Sequence, residues 1–555
     1  MKRIWMILLL AVSALGRAYS MPPAAAEAPG AGPARLQLVE ATVAELRHAM
    51  DTGLLKPEQL VRLYRARIDA YDKAGPRVNA FLYVNPNAEA QARALGKPSP
   101  GDRSRPLFGI PVLLKDNVDT ADMPTTAGSV ALAGSIPPDD AFITRKLRQA
   151  GAILLGKGTL TEFANFIAVG MPTGYSSLGG FGFNPYDPRP VLGGDGRPVL
   201  QTGGSSSGPG IAVNANLVTL AVGTETSGSI LSPASSNGVV GIKPTLGLIS
   251  RDGIIPITAD QDTAGPIART VTDAAILLGV LAGYDPADPA TAACLTPGNC
   301  FDDYTPFLAK RALEGARIAV VTPIPASRAV ILNAAIDVLR ALGAYVELLP
   351  PFPAQVSSCV SYPPPAGCST VFLYGQKHDL NKYLAATPGA PRKTLAEIVA
   401  FNRAYKPPMK YGQAIFEAAE QLDVTPGSAD TRRYQVDLAE DRARSRGALD
   451  AVYDGPDGIR GTADDFDAIL AVANFFAAAP AKAGYPSITV PGGFLPPSPP
   501  IENEYPSGVT FSGPAFSEPR LIGFAYAFEQ ATRYRLLPAS TPPLPGDSVL
   551  QGAGR

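Results

Sequence analysis

The hydrophobic positions near the start of the chain repeat with the period of α-helices. Thr42-Val-Ala-Glu45 has the spacing of a capping box, which predicts a helix in the residues that follow. A second helix is predicted from Pro57, because apolar side chains recur every three or four residues along EQLVRLYRARIDAYD. The amino-terminal part of the fold is therefore predicted to be helical.

From Leu107 onward, short apolar runs of strand length alternate with helical patterns. One strand is predicted to end at Lys115, and PGIAVNANLVTLAVGTETSGSI predicts a helix, a buried strand and a glycine turn. Further strands are predicted in ARIAVVTPI, AYVELLP and DAILAVANF, and further helices in DDAFITRKLRQAG, VTDAAILLGVLAG, Ile331–Leu342 and SEPRLIGFAYAFEQATRYR. This alternation is typical of α/β layers, and no repeat or linker divides it. We therefore predict one large α/β domain over residues 39–535 and a C-terminal tail over 536–555.

Two stretches lack this pattern and are interpreted as insertions. Residues 188–201 hold three glycines and few periodic apolar positions. Asp454–Asp467 is rich in aspartate, whose carboxylates suit Ca²⁺, but the spacing of an EF-hand loop is missing. An acidic turn is the favoured interpretation of this stretch, and a calcium site is the alternative.

The composition excludes several classes of protein. Hydrophobic residues make up 46% of the 555, whereas charged residues make up 17%, below the roughly 25% of an average protein. The formal net charge is -1, so no strong field attracts nucleic acid. The longest apolar stretch of the domain, 468–481, is interrupted by Asn474 and Pro480. We therefore expect no nucleic-acid partner and no membrane span, and no pattern indicates an oligomeric state.

The first residues have the features of an export signal. Lys2 and Arg3 precede the apolar run Ile4–Leu15, which is shorter than the roughly 20 residues of a spanning helix. Residues 1–20 are predicted to be a signal peptide, with cleavage after Ser20 or as late as Ala26. Residues 21–38 are predicted to be a flexible Ala/Pro-rich leader. The protein is thus expected to be secreted or periplasmic; the alternative is an apolar N-terminus that is not cleaved.

An oxidising compartment makes the four cysteines interpretable. Cys294 and Cys300 lie close together in the sequence, as do Cys359 and Cys368, and both pairs lie in turn-rich segments. Two local disulfides are the favoured pairing among the three possible connectivities. Four free thiols are the alternative, and a zinc site is disfavoured because neither pair has CxxC spacing.

The histidine count restricts the catalytic chemistry. The chain holds only His48 and His378, so a three-histidine zinc site is excluded. A serine nucleophile needs a base, and a buried lysine is the remaining candidate because desolvation favours its neutral form. Lys115, at the end of a predicted buried strand, meets that requirement. Gly/Ser loops at 203–208 and 223–230 supply hydroxyls and backbone N–H groups that can bind an anion.

These segments together resemble the amidase signature family. The resemblance is carried by GGSSSGPGIAVNANLVTLAVGTETSGSILSPASSNGVVGIKPTLGLISRDGIIPITADQDTAGPIART, by FGIPVLLKDNVDT upstream, and by AGYPSITVP and the final helix downstream. It covers roughly residues 39–533, and the bacterial peptide amidases are the most similar members through GTETxGSI, RDGIIPI and QDTAGP. It implies a single α/β domain in which helices flank a mixed, twisted central sheet.

The resemblance also implies the roles of individual residues. Ser229 corresponds to the nucleophile, and Lys115 corresponds to the base. Ser205 corresponds to the bridging serine that follows a cis peptide bond. The backbone N–H groups of Thr226, Ser227, Gly228 and Ser229 correspond to the oxyanion hole. Neither a metal nor an organic cofactor is implied.

Departures from the family pattern lie outside these three side chains. Ser227 replaces the usual Gly or Asp, Ser207 stands where glycine is common, and Leu231 stands where many members have arginine. Pro188–Gln201 precedes the bridging serine, so the shape of the pocket is expected to differ. The candidate apolar wall residues of the pocket are Phe163, Phe166, Phe475 and Phe476; a place in the core is the alternative for each.

The expected function is hydrolysis of carboxylic amides, with peptide C-terminal amides as the leading substrates. Aryl amides, short oligoamides and carbamates are the alternatives on the same fold. A different hypothesis is an α/β-hydrolase. In it, Gly204-Ser205-Ser206-Ser207-Gly208 is the G-x-S-x-G nucleophile elbow, Ser206 is the nucleophile and His378 is the base. A further alternative is a non-catalytic exported binding protein.

Overall fold

The computed structural model describes residues 35–322, 324–405 and 409–550. A mixed eleven-stranded sheet lies at the centre of the fold. Its strands run in the order β11-β10-β12-β14-β13-β8-β9-β7-β3-β4-β2. The strands are β1 (Arg35–Gln37), β2 (Phe81–Val84), β3 (Pro111–Lys115), β4 (Ile153–Gly158), β5 (Tyr175–Ser176), β6 (Gly180–Phe181), β7 (Leu220–Glu225), β8 (Val240–Lys243), β9 (Thr263–Ala268), β10 (Arg317–Thr322), β11 (Tyr345–Pro351), β12 (Ala468–Val472), β13 (Ser487–Leu495), β14 (Tyr505–Ser512) and β15 (Ser548–Leu550).

Helices cover this sheet. They are α1 (Val43–Asp51), α2 (Pro57–Tyr71), α3 (Ala88–Leu95), α4 (Phe142–Gln149), α5 (Glu162–Asn165), α6 (Ser207–Asn214), α7 (Leu231–Ser236), α8 (Val271–Leu281), α9 (Ala329–Ala341), α10 (Val371–Ala386), α11 (Leu395–Ala404), α12 (Ala414–Glu420), α13 (Ala429–Tyr453), α14 (Ala478–Ala483) and α15 (Glu518–Thr532). None of these helices, over the residues that the structure describes, is long and apolar enough to cross a membrane.

The central strands are buried on both faces, which explains their continuous apolar sequences. β3 runs parallel to both β4 and β7, and every residue of the three strands is buried. β7 and β9 are antiparallel, as are β13 and β14, so the sheet is mixed. The prediction of a single α/β domain with a mixed sheet flanked by helices is confirmed.

The individual elements follow the sequence pattern closely. Thr42 caps α1, and its hydroxyl and Glu45 form the expected capping box. α2 begins at Pro57, and β3 ends at Lys115, as predicted. The helix predicted over Ile331–Leu342 forms as α9, which begins at Ala329 and ends at Ala341.

A second core lies beside the sheet and is formed largely by helices. Buried side chains of α10, α11 and α12 pack there against the loops that follow β3 and β4. Phe163 and Phe166 belong to this core, where their rings pack edge-on against Phe416 and Phe372. These two candidate wall residues are therefore core residues.

The ordered fold extends past both expected boundaries of the domain. β1, in the segment expected to be a flexible leader, pairs antiparallel with β15 in the C-terminal tail. The fully buried guanidinium of Arg67 donates to the carbonyls of Pro542 and Thr541 and to the Asp547 carboxylate at 2.6 Å. Burial of that charge together with its acceptors fixes the tail. The predicted signal peptide lies outside the described residues.

The two insertions and the four cysteines lie outside the α-helices and strands. Residues 188–201 fold back on themselves, with Val191 N–H donating to the Arg197 carbonyl. In 454–467, the carboxylates bind local groups: Asp454 pairs with Arg460, and Asp457 accepts from Ile459 N–H. Over the described part of the chain, no three acidic, cysteine or histidine side chains cluster as metal ligands. Disulfides join Cys294 to Cys300 and Cys359 to Cys368.

Candidate active site

Strand β3 places a lysine inside the protein core. The strand is apolar from Pro111 to Leu114, and its last residue is Lys115, whose side chain is completely buried. The Lys115 Nζ lies 2.7 Å from the Ser205 Oγ and 2.8 Å from the Thr224 Oγ1, and it also donates to the Thr224 carbonyl at 3.1 Å. All three acceptors are uncharged, so the ammonium form gains little compensation for its lost hydration.

Burial lowers the pKa of Lys115 to about 7, against the opposing effect of the carboxylates of Asp262 and Glu225. In a large share of the protein molecules, Lys115 is therefore neutral near pH 7. A neutral amine in contact with a hydroxyl is able to accept a proton from it.

Ser205 is held in a turn directly before α6. The Gly204–Ser205 peptide bond is cis, and the Ser205 carbonyl accepts a hydrogen bond from Thr161 N–H at 3.0 Å. A Cβ at position 204 would lie 2.6 Å from the Thr161 Oγ1 and 3.0 Å from the Thr173 Cβ. Only glycine fits between these neighbours, so the glycine before Ser205 has a packing reason.

Ser229 lies in the turn that follows β7, which we call the Ser229 turn (residues 226–230). The Glu225 carboxylate accepts hydrogen bonds from Gly228 N–H at 2.6 Å and from Ile230 N–H at 2.7 Å, one on each side of Ser229. The Ser229 carbonyl accepts from Ser206 N–H at 3.1 Å, which joins this turn to the segment that holds Ser205. Among the described residues, no group forms a hydrogen bond with the Ser229 hydroxyl.

A second contact fixes the start of the Ser229 turn. The Thr226 hydroxyl donates to the Asp262 carboxylate at 2.5 Å, and the Gln261 side-chain amide donates to the Thr226 carbonyl at 3.0 Å. Asp262 also accepts from the N–H groups of Ile257 and Thr258. Burial raises the pKa of Asp262 to about 7.

Comparison with known proteins identifies the family. The family model described as Amidase matches residues 59–404, more than half of the chain. A probable amidase of Arabidopsis thaliana is 37% identical over 517 residues, which span 90% of this chain and 91% of that protein. This chain belongs to the amidase signature family.

Solved structures support the same assignment. The peptide amidase of Stenotrophomonas maltophilia is 38% identical, with a TM-score of 0.76 over 91% of this chain and 99% of its own. An amidase family protein from Bacillus anthracis is 35% identical, with a TM-score of 0.78 over 90% of this chain and 92% of its own. The protein described here is an amidase, an enzyme that hydrolyses amide bonds.

The amidase brings the three candidate catalytic residues into one region. Lys115 and Ser205 are in direct contact, and the backbone of Ser229 is bonded to the residue after Ser205. Asp116 and Asn117 have structural contacts: Asp116 accepts from Thr126 N–H at 3.1 Å, and Asn117 donates to the Thr224 hydroxyl.

One of the four candidate oxyanion donors is already engaged. Gly228 N–H donates to the Glu225 carboxylate, so this amide is not available to an oxyanion in this conformation. No acceptor among the described residues binds the N–H groups of Thr226, Ser227 and Ser229. Ser227 is exposed, so its side chain replaces the usual glycine or aspartate without entering the core.

The alternative hypothesis, with Ser206 as nucleophile and His378 as base, has no support in the amidase structure. The Ser206 hydroxyl is fully buried, donates to the Thr224 carbonyl at 3.0 Å and accepts from Thr224 N–H at 3.2 Å. His378 is half-exposed on α10, where its imidazole bonds to the Asp379 carboxylate and stacks on Tyr374. Each side chain is satisfied by other partners.

The residues that position the catalytic segments by hydrogen bonds were not identified from the sequence. Thr224, Glu225, Gln261 and Asp262 belong to the quoted motifs, but their individual contacts were not assigned. One signal was present in the sequence: the predicted buried strand ends in Thr224 and Glu225. Two polar side chains at the end of a buried strand need hydrogen-bond partners nearby.

Proposed function

We propose that the protein is an exported amidohydrolase that acts through Ser229, Ser205 and Lys115. The Ser229 hydroxyl attacks the amide carbonyl carbon and gives its proton to the Ser205 oxygen, while Ser205 gives its own proton to neutral Lys115. The tetrahedral oxyanion accepts hydrogen bonds from free N–H groups of the Ser229 turn. The 2.7 Å contact of Lys115 with Ser205 is the observation that carries this proposal.

The relay then runs in reverse. The C–N bond breaks, the leaving nitrogen takes the proton back through Ser205, and the acyl group remains as an ester on Ser229. Water attacks this ester, its proton passes to Lys115 by the same route, and Ser229 is regenerated when the carboxylic acid leaves. The low pKa of Lys115 supports both directions of transfer, because the group gains and loses a proton near pH 7.

Peptide C-terminal amides are the proposed substrate class, with aryl amides, oligoamides and carbamates as alternatives. The similarity to a peptide amidase along 91% of the chain supports this choice. The test is a hydrolysis panel of peptide amides, anilides and carbamates with wild type, Ser229→Ala and the exposed control Ser104→Ala. We expect ammonia release from peptide amides by wild type and Ser104→Ala and none by Ser229→Ala. A preference for anilides or carbamates would overturn the substrate class, and hydrolysis by Ser229→Ala would overturn the mechanism.

Export is proposed from the N-terminal pattern together with the two disulfides. Mass spectrometry of the exported protein should find a start after Ser20 or Ala26, and therefore no tryptophan, because Trp5 is the only one. Non-reducing peptide maps should join Cys294 to Cys300 and Cys359 to Cys368. Retention of Trp5, or alkylation of all four thiols in the native protein, contradicts the proposal.

A further inference from the structure

The turn that follows β12 lies against the Ser229 turn. β12 ends at Val472, and the chain then turns through residues 473–477. A Cβ at position 228 would lie 3.0 Å from the Asn474 Nδ2 and 3.5 Å from the Ala477 Cβ. Gly228 also has a φ of 81°, so glycine is required there both for the backbone conformation and for this close approach.

An apolar cavity of about 350 Å³ begins at the same turn. It lies at the carboxyl ends of the parallel strands β10 and β12, the usual position of ligands in α/β sheets. Its lining residues are apolar except for Thr322 and Gln355, and they include Leu332, Phe352 and Phe476. The volume is within the usual range for small-molecule sites and exceeds what a single aromatic side chain needs.

Two side chains of the turn have surface available to a ligand. Phe475, which lines the cavity, is 60% exposed. The carboxamide of Asn474 is partly exposed and bonds to no group among the described residues, although it carries both donors and an acceptor. Asn474 contacts the Ser229 turn at Gly228, and the next residue, Phe475, lines the cavity.

We propose that Asn474 and this cavity form the subsite for the acyl half of the substrate. Asn474 hydrogen-bonds a backbone amide group of the substrate, and the cavity takes an apolar side chain such as that of phenylalanine or leucine. The inference rests on the proposed function. When the leaving group is ammonia, every group that an enzyme can recognise lies on the acyl side, so an acyl subsite next to Ser229 is needed for selectivity.

The experiment compares kcat/KM for N-acetylphenylalaninamide and N-acetylglycinamide. The variants are Asn474→Ala, Ala478→Trp, which places a large side chain at the exposed edge of the cavity, and Phe475→Ala, which removes one of the three phenylalanines that line it. Ala451→Trp is the matched control, an exposed helical alanine on α13 away from the cavity. Labelling by a fluorophosphonate checks in each variant that the nucleophile is intact.

We expect wild type to prefer the phenylalanine substrate by about tenfold or more, as burial of an apolar group in a pocket allows. Ala478→Trp and Phe475→Ala should lose most of that preference, and Ala451→Trp should keep it within about twofold. Asn474→Ala should raise KM for both substrates by about three- to tenfold, with a smaller change in kcat, the effect of one lost neutral hydrogen bond.

The outcomes separate the subsite from the chemistry. If wild type hydrolyses both amides and the preference is equal in all variants, the cavity does not bind the acyl side chain and the inference is wrong. An unchanged KM in Asn474→Ala removes Asn474 from the subsite. If wild type hydrolyses neither amide and Ser229 is not labelled, the proposed function is wrong, and the inference that rests on it is wrong as well.

Discussion

At the scale of the residue, the proposed mechanism depends on one buried amine. The scarcity of histidine pointed to a buried lysine as the base, and the resemblance to the amidase signature family singled out Lys115. Its partners were not predictable one by one, because Ser205 and Thr224 are 90 and 109 positions away. Which hydroxyl faces the amine depends on how β3 and β7 pair, and periodicity does not specify that pairing.

The pKa of Lys115 predicts the pH dependence of the reaction. Below about pH 7 the amine is protonated and cannot accept a proton, and above it the amine is neutral. We expect kcat/KM to rise with pH as one group with an apparent pKa near 7 titrates, and then to level off. Lys115→Arg, which stays charged throughout, should be inactive at every pH. Assays between about pH 5 and about pH 10 check this; a rate still rising at the upper limit, toward the unperturbed lysine value of 10.5, would contradict it.

At the scale of the element, the glycine turn after the buried strand was predicted, but its internal bonding was not. The sequence left all four amides of 226–229 as candidate donors, whereas Glu225 occupies that of Gly228. The Glu225 contact is local, because the carboxylate caps the turn that follows its own strand. The exposure of the other amides depends on segments that are distant in the sequence. Gln261 and Asp262 reach Thr226 from the start of β9 across such a distance.

The Thr226 contact gives a prediction for this turn. Thr226→Val keeps the side-chain shape but removes the hydroxyl that Asp262 accepts, and it leaves a buried carboxylate short of one donor. We expect kcat to fall by about tenfold or more, because displaced oxyanion donors cost about 10²–10³ when lost entirely. Thr226→Ser retains the hydroxyl and should stay within about threefold. Steady-state kinetics on folded protein decides, and equal rates for the two variants would rule out a positioning role.

At the scale of the whole molecule, the α/β class and the single domain followed from alternating strand and helix patterns. The boundaries did not, because β1 and β15 are only three residues long and each pairs with the other. β1 and β15 pair across more than five hundred residues, and Arg67 on α2 binds the segment before β15. No local pattern indicates contacts of this range.

Asp547→Ala tests whether the tail is part of the folded unit. The substitution leaves Arg67 buried without its carboxylate, so we expect a loss of about 3–5 kcal/mol in the free energy of unfolding. Asp69→Ala, an exposed aspartate on the same helix as Arg67, should change it by no more than about 0.5 kcal/mol. Urea denaturation of both variants measures the difference, and equal stabilities would mean that the tail contributes little.

The most direct test of the central claim is to locate the covalent intermediate. A fluorophosphonate reacts with the activated nucleophile of a serine hydrolase, and peptide mapping by mass spectrometry identifies the modified residue. We expect an adduct on Ser229, slow labelling in Ser205→Ala, and no labelling in Ser229→Ala or Lys115→Ala. An adduct on Ser206, or normal labelling of Lys115→Ala near pH 7, would contradict it.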